Sequence, residues 1–360
     1  MWQVIGQPKL IKLFERGLRE GTLAHAYLLV GPPHVGKGTL AINLAQALNC
    51  TGSDPPCGQC LSCRRIAEAK HADVRSIRLS AGDGNGRTQH EISTEDIKEI
   101  QYSASLPPYE GRFRVFIIDG AENMSAEASN RILKVLEEPC PTVLWLLLAV
   151  EETRLLPTVA SRCQRVELRP APVPEVAGLL QERYGVEAAR AGLLARLSGG
   201  CTGWAVSAAS DSRLMEDRTR ILETLASLLG ADLNDRLQYA AELARSMEKD
   251  RRAGLEVLRT WLGFWRDVLL VKNGCAGDAI NIDCMDTLNE VASSATLSEI
   301  KAALDRLNEA MSQIARNVNA QLALEVLLLN MPTHRLHSFL TTEGEEAQVS
   351  DTGPFPPERK

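Results

Sequence analysis

A stretch near the start of this 360-residue sequence has the residue types and spacing of a phosphate-binding loop. Residues 31–39 read Gly-Pro-Pro-His-Val-Gly-Lys-Gly-Thr and lie between a short apolar run and a helical pattern. Glycines allow backbone N–H groups to surround phosphate oxygens at a helix N-terminus, and the lysine supplies a cation to the outer phosphates. A plain glycine turn is the alternative, but spacing, lysine and context favour a nucleotide site. The residues predicted to hold the nucleotide are Gly31, Pro32, Pro33, Gly36, Lys37, Gly38 and Thr39.

The parts of such a site that bind magnesium and activate water are incomplete. A P-loop Ser or Thr normally ligates Mg²⁺, but that position is Gly38, and Thr39 is rotated by about 100° around the helix axis. The apolar run 115–118 ends in Asp119, which can hold the water shell of the metal. Gly120 follows where ATPase motors carry Glu, and Glu122 lies two residues later. The sequence therefore predicts binding of ATP or ADP with impaired hydrolysis, and leaves Mg²⁺ binding open.

Four cysteines within fourteen residues have the spacing of a metal site. Cys50, Cys57, Cys60 and Cys63 form the pattern C-x₆-C-x₂-C-x₂-C. Zn²⁺ prefers four tetrahedral thiolates, and a closed set of four leaves no open position for catalysis. We therefore expect a structural zinc module at 50–63, with an iron–sulfur cluster or merely buried cysteines as less favoured alternatives.

Composition and charge restrict the class of protein. The net charge is −6, which argues against a stand-alone DNA-binding protein. The longest strongly apolar run, 143–150, is far shorter than the roughly 18 to 20 residues of a membrane span. The other five cysteines are scattered, so the pattern favours a reducing compartment rather than a disulfide scaffold. We expect a cytoplasmic protein without a membrane anchor.

The order of apolar runs and helical patterns predicts four parts. Continuous apolar runs at 26–30, 114–118 and 143–149, separated by helices, are typical of a buried parallel sheet, so residues 1–170 should form an α/β domain. A proline-rich break precedes a small helical domain at 171–212. Apolar stripes at 255–269 and 304–318 predict a helical bundle at 213–338, and 339–360 has the composition of a disordered tail.

Taken together, the motifs resemble the bacterial clamp-loader subunits of the AAA+ class. The P-loop, the cysteine module directly after its helix, the Asp119 strand and Ser161-Arg162-Cys163 follow one another in the order typical of that family. The resemblance covers residues 1 to about 335. Further supporting stretches are 4–7, 25–27, 133–139, 155–158 and 317–324.

The resemblance implies a RecA-like ATPase domain, a helical lid and a helical collar. Through the collar, five subunits of the gamma/tau and delta kinds form a ring that opens a sliding clamp and places it on primed DNA. The family also implies a role for Arg162 as a catalytic arginine finger that reaches the nucleotide of a neighbouring subunit, with Ser161 and Cys163 beside it. For Arg162 taken alone, a surface salt bridge is the plainer interpretation.

Within the family, the departures favour the delta-prime kind of subunit. Gly38 and Gly120 each remove a catalytic group, and Trp204 stands where the motor subunits carry an arginine. We therefore expect a stator with weak or absent ATPase activity that supplies Arg162 in trans. A gamma/tau-like ATPase motor is the first alternative. A zinc-stabilised nucleic-acid-binding or helicase-loading ATPase is the second.

Overall fold

The computed structural model describes residues 2–78, 92–316 and 318–333, without the side chain of Arg252. The tail predicted at 339–360 lies outside these residues. The chain divides into two compact units, Met1–Val206 and Ser207–Lys360, and each is described separately. The predicted succession of a parallel α/β sheet and an all-helical region is confirmed.

Five parallel strands form the sheet of the first unit, as far as the described residues show. They are β1 (Ala26–Val30), β2 (Val74–Arg78), β3 (Arg114–Asp119), β4 (Val143–Ala149) and β5 (Gln164–Glu167), in the order β2-β3-β4-β1-β5. The central strands β1 and β4 are buried along their whole length, because helices cover both faces of the sheet. This is why they consist of unbroken apolar runs.

Helices lie on opposite faces of the sheet according to the direction of each crossover. One face is covered by α1 (Pro8–Glu20), α2 (Lys37–Asn49) and α3 (Leu61–Ala67), which bury side chains such as Phe14 and Leu44 against it. On the other face lie α4 (Thr94–Ala104), α5 (Ala126–Glu137) and α6 (Pro157–Ala160). The connection from β1 to β2 runs in the opposite direction to the later ones. It must therefore use the opposite face if every crossover is right-handed.

Three further helices follow the sheet: α7 (Val173–Tyr184), α8 (Ala188–Leu197) and α9 (Thr202–Ser210). The division between the two units falls within α9. Pro172 and Pro174 mark the beginning of α7, as expected where the first N–H groups of a helix have no partner. Buried Leu180 of α7 and Leu194 of α8 belong to the apolar sides of this helix pair.

The second unit is helical throughout its described residues. It contains α10 (Arg213–Gly230), α11 (Leu233–Lys249), α12 (Arg251–Lys272), α13 (Met285–Ser294), α14 (Leu297–Ala315) and α15 (Ala320–Leu329). Its core is centred on α12, where Trp261 and Trp265 are fully buried. The predicted stripe on α14 is shorter than expected: Val318 lies beyond the end of that helix and is 44% exposed.

Arg236 of α11 is a buried cation that connects two helix ends. Only 5% of the residue is exposed. Its guanidinium donates hydrogen bonds of 2.9 to 3.2 Å to five backbone carbonyls. Two belong to the last turn of α10, Leu228 and Leu229. The other three lie in the last turn of α15 and just beyond it, Leu328, Met331 and Pro332. The last carbonyls of a helix have no partner within it, so Arg236 satisfies both ends at once.

Candidate functional site

The predicted phosphate loop lies at the carboxyl edge of the sheet, between β1 and α2. The N–H of Gly31 donates to the carbonyl of Ala149 at the end of β4, with 3.2 Å between nitrogen and oxygen. His34 and Gly36 both have positive φ, +60° and +105°. Alternating left-handed residues turn successive N–H groups towards one side and form an anion-binding nest. The backbone thus has a geometry that suits phosphate.

Lys37 is the first residue of α2, and its ammonium group turns back onto the loop. Nζ donates to the carbonyls of Gly31 and Pro32 at 2.6 and 2.8 Å. Gly38 and Thr39 follow on the exposed side of the helix. A Cβ atom placed on Gly38 would meet no atom within 4 Å beyond its chain neighbours and the backbone of its own helix. The backbone around Gly38 therefore has room for the serine or threonine side chain that would ligate magnesium.

This open position leads to a prediction for Gly38→Ser. The new hydroxyl is expected to strengthen magnesium-dependent nucleotide binding by about tenfold, because it restores one ligand of the metal. The measurement is a titration of the purified chain with a fluorescent ATP analogue, with and without Mg²⁺. Gly178→Ser is the matched control, since Gly178 is also a helical glycine with open space. Equal affinities for Gly38→Ser and the unchanged chain in Mg²⁺ would contradict the prediction.

The carboxylates predicted for the metal side lie at the same edge of the sheet. Asp119 is exposed at the end of β3, in register with Leu148 of β4. Gly120 has φ +80°, and a Cβ there would lie 2.9 Å from Nδ2 of Asn123. The local backbone therefore disfavours the glutamate that motors carry.

Glu122 is fixed to the end of β4. Its Oε1 accepts a hydrogen bond of 3.1 Å from the N–H of Val150, and its Oε2 is buried without a partner among the described residues. The carboxylate thus bonds to the sheet edge beside the loop that follows β3.

A contact that the sequence did not reveal joins the first turn of α9 to the phosphate loop. The N–H of Gly203 donates to the carbonyl of His34 at 2.8 Å. Trp204, the residue aligned with the arginine of motors, is half-buried and directly follows this contact. The sequence places Trp204 at the position of an arginine in motor subunits, but it does not predict this backbone contact.

Arg162 lies at the opposite, amino edge of the sheet. It belongs to the turn between α6 and β5, two residues before Gln164, which pairs with Tyr27 near the start of β1. Its Nη2 is 2.7 Å from Oε1 of Glu137, and its Nη1 donates to the carbonyl of Thr158 at 3.0 Å. The hydroxyl of Ser161 donates to the same carbonyl at 3.2 Å.

The four clustered cysteines are brought together between α2 and α3. Their Sγ atoms all lie within 4.8 Å of one another, and those of Cys50 and Cys60 are 4.0 Å apart. Four thiolates placed about 2.3 Å from a central Zn²⁺ in a tetrahedron would lie about 3.8 Å from one another. The set therefore has the dimensions of a tetrahedral metal site.

Backbone N–H groups surround these sulfur atoms. The sulfur of Cys50 accepts from Gly52 and Cys57, that of Cys57 from Cys60, and that of Cys60 from Cys63, at 3.3 to 3.4 Å. Desolvation opposes ionisation of Cys60, but hydrogen bonds from Thr51 and Cys63 outweigh it and lower its pKa to about 5. Burial raises the pKa of Cys63 to about 12. The N–H groups thus favour negative charge at the sulfurs they contact.

Two family models match consecutive parts of the chain. The model described as DNA polymerase III, delta subunit, matches residues 6–172, and that for the C-terminal part of the same subunit matches 212–333. The chain belongs to the bacterial DNA polymerase III clamp-loader family. The predicted resemblance is therefore confirmed, and the P-loop and the cysteine module both lie within the first of the two matched ranges.

Curated relatives of this clamp-loader chain include both kinds of subunit. It is 28% identical over 327 residues to the delta' subunit of Bacillus subtilis strain 168, which covers 90% of this chain and 95% of the relative. It is 25% identical to the tau subunit of the same organism over 91% of this chain, and 32% identical to that of Escherichia coli K12 over 63%. These matches cover only 60% and 35% of the two tau subunits. The predicted kinship with delta-prime subunits is confirmed.

Two solved structures show partial similarity to this chain. A gamma subunit-related protein of Thermotoga maritima has a TM-score of 0.44 at 19% identity and covers 88% of this chain and 97% of its own. The clamp-loader delta protein of Bacillus subtilis has a TM-score of 0.34 at 13% identity and covers 89% and 98%. Within the described residues of this clamp-loader chain, every helix is too short or too polar to cross a bilayer.

Proposed function

We propose that this chain is the delta-prime-type stator of a DNA polymerase III clamp loader. It assembles with gamma/tau and delta subunits in a hetero-pentameric ring in the cytoplasm. Through that ring it helps to place the sliding clamp on primed DNA, and it supplies Arg162 to a neighbour's nucleotide. The observation that carries the proposal is the separation of Arg162 from this chain's own phosphate loop.

That separation follows from the strand register. Gln164 pairs with Tyr27, whereas the phosphate loop begins at Gly31, four residues further along β1. At about 3.3 Å per residue, the two edges lie about 13 Å apart along the strand, and Arg162 precedes Gln164 by two more residues. An arginine at this edge cannot contact a nucleotide in the same chain's loop, but it can contact one bound to another subunit.

The chain's own loop holds a nucleotide without turning it over efficiently. A bound ATP or ADP would supply the phosphates that the N–H groups of 31–37 surround, with Lys37 released from Gly31 and Pro32 to contact them. Asp119 would orient the water shell of Mg²⁺. Gly38 offers no hydroxyl to the metal, and Gly120 offers no carboxylate to the attacking water. Slow or absent hydrolysis is the consequence.

The cysteine set supports a structural zinc ion. Cys50, Cys57, Cys60 and Cys63 would supply four thiolates and leave no open position on the metal. The segment between α2 and α3 buries few apolar side chains of its own, so the ion would hold it in place of a hydrophobic core.

The second unit offers a surface suited to subunit assembly. Val318, Leu322, Val326 and Leu329 are all exposed and recur at spacings of three or four residues on and before α15. Large exposed apolar side chains that share one helix face are typical of protein interfaces. This stripe supports the proposed collar contact with neighbouring subunits.

Assembly and turnover together test the proposal. The purified chain is expected to join gamma/tau and delta subunits in one complex, and to bind nucleotide while hydrolysing little or none. Both are measured by size-exclusion chromatography and by steady-state ATPase assays at several Mg²⁺ concentrations, with Lys37→Ala beside the unchanged chain. Rapid turnover lost in Lys37→Ala would instead identify a gamma/tau-like motor. Failure to assemble, with salt-sensitive DNA binding by the isolated chain, would favour a nucleic-acid-binding ATPase.

A further inference from the structure

The guanidinium of Arg162 is held by two residues of its own chain. Glu137, at the end of α5, places Oε1 2.7 Å from Nη2, and Thr158 of α6 accepts from Nη1 at 3.0 Å. Helices α5 and α6 pack against one another through buried residues that include Leu136 and Val159. The two contacts therefore come from neighbouring elements of fixed relative position.

The backbone that carries Arg162 is also fixed. The N–H groups of Arg162 and Cys163 donate to the carbonyls of Val159 and Ala160, both at 3.2 Å. Cys163 packs against the core, and burial raises the pKa of its thiol to about 12, so this side chain stays neutral and inside. The remaining freedom of the turn is the rotation of the arginine side chain itself.

The two contacts leave most donors of the guanidinium available. An arginine has five N–H donors, and Glu137 and Thr158 each take one, on different nitrogens. The Arg162 side chain is 36% exposed and that of Glu137 is 49% exposed. A phosphate approaching from solvent can accept hydrogen bonds from the remaining donors while Glu137 stays in contact.

We propose that Glu137 is a positioning residue that holds the Arg162 guanidinium ready for a neighbour's nucleotide. This inference rests on the proposed function, because it needs Arg162 to act in trans. Ordering a long side chain costs conformational entropy when a complex forms, and a group that is already held loses less. An exposed ion pair adds little to folding stability, so the effect falls on the rate of hydrolysis rather than on the fold.

The test is the DNA-stimulated ATPase of the reconstituted loader carrying Glu137→Ala in this chain. We expect kcat to fall about two- to tenfold, the factor associated with ordering one flexible side chain, with KM for ATP and assembly unchanged. Glu137→Gln keeps an oxygen acceptor and is expected to restore part of the rate. Glu138→Ala is the matched control: it removes the same charge one residue later, where the described structure shows no ion pair.

A double substitution separates positioning from a general structural role. With Arg162→Ala already present, Glu137→Ala is expected to slow the loader no further, because nothing remains to be positioned. An unchanged or raised rate in Glu137→Ala alone, or an additional loss in the double variant, would overturn the role of Glu137. An unchanged rate in Arg162→Ala would overturn the arginine finger itself and this role with it.

Discussion

Replacing Arg162 with alanine is expected to leave the ring assembled and to slow hydrolysis at the neighbouring nucleotide by about 10³-fold or more. The reason is that the guanidinium stabilises negative charge that develops on the transferring phosphate. Within its own chain it makes an exposed ion pair with Glu137 and a hydrogen bond to the carbonyl of Thr158, which contribute little to stability. Single-turnover hydrolysis by the complete loader measures this loss. Native mass spectrometry of the same sample reports assembly.

Arg165→Ala is the control for this substitution. Arg165 lies three residues later on β5 and makes exposed ion pairs with Glu152 and Glu167, so its loss removes a surface arginine of similar surroundings. Its expected effect on hydrolysis is small. If the loader with Arg162→Ala hydrolyses ATP as fast as the loader with Arg165→Ala, Arg162 forms only a surface salt bridge and is not an arginine finger.

The second large effect is expected on the stability of the first unit when Cys63 becomes serine. Cys63 is fully buried, and its loss would leave three thiolates and an open coordination position. We expect zinc content to fall from one ion per chain to none. We also expect the first unit to melt at least about 10 °C lower, because binding of a structural zinc is coupled to folding.

Metal analysis and calorimetry measure the two quantities on the same sample. Cys140→Ser is the matched control, since Cys140 is exposed and outside the cluster. A strong chelator added to the unchanged chain is expected to reproduce the lower melting temperature. Full zinc content in Cys63→Ser, or iron in place of zinc, would contradict the assignment.

The sheet was predictable where burial on both faces left continuous apolar runs. β1, β3 and β4 are such strands, and each was predicted within one residue of its observed bounds. β2 and β5 are the two edge strands, and most of their residues are exposed or half-buried, so their polar sequences gave no comparable pattern. These two strands form because they pair with β3 and β1, and a local sequence pattern holds no information about such pairing between distant segments.

The candidate site likewise contains parts that the sequence predicts and contacts that it does not. The phosphate loop and the cysteine module are short segments whose chemistry depends on spacing, and the structure brings their members together. The contact of Gly203 with His34 and that of Glu137 with Arg162 join residues far apart in the chain. They arise only once helices have packed, so spacing in the sequence could not predict them.

The position of Arg236 bears on how the chain is made. A ribosome releases the sequence from its N-terminal end, so α10 and α11 emerge well before Met331 and Pro332, the acceptors that lie 95 and 96 residues beyond Arg236. Until those carbonyls arrive, the guanidinium has only its α10 partners and must keep contact with water. The guanidinium can therefore be buried with all of its acceptors only after synthesis has passed Pro332, and a chain cut short before α15 would lack three of the five carbonyls that accept from it.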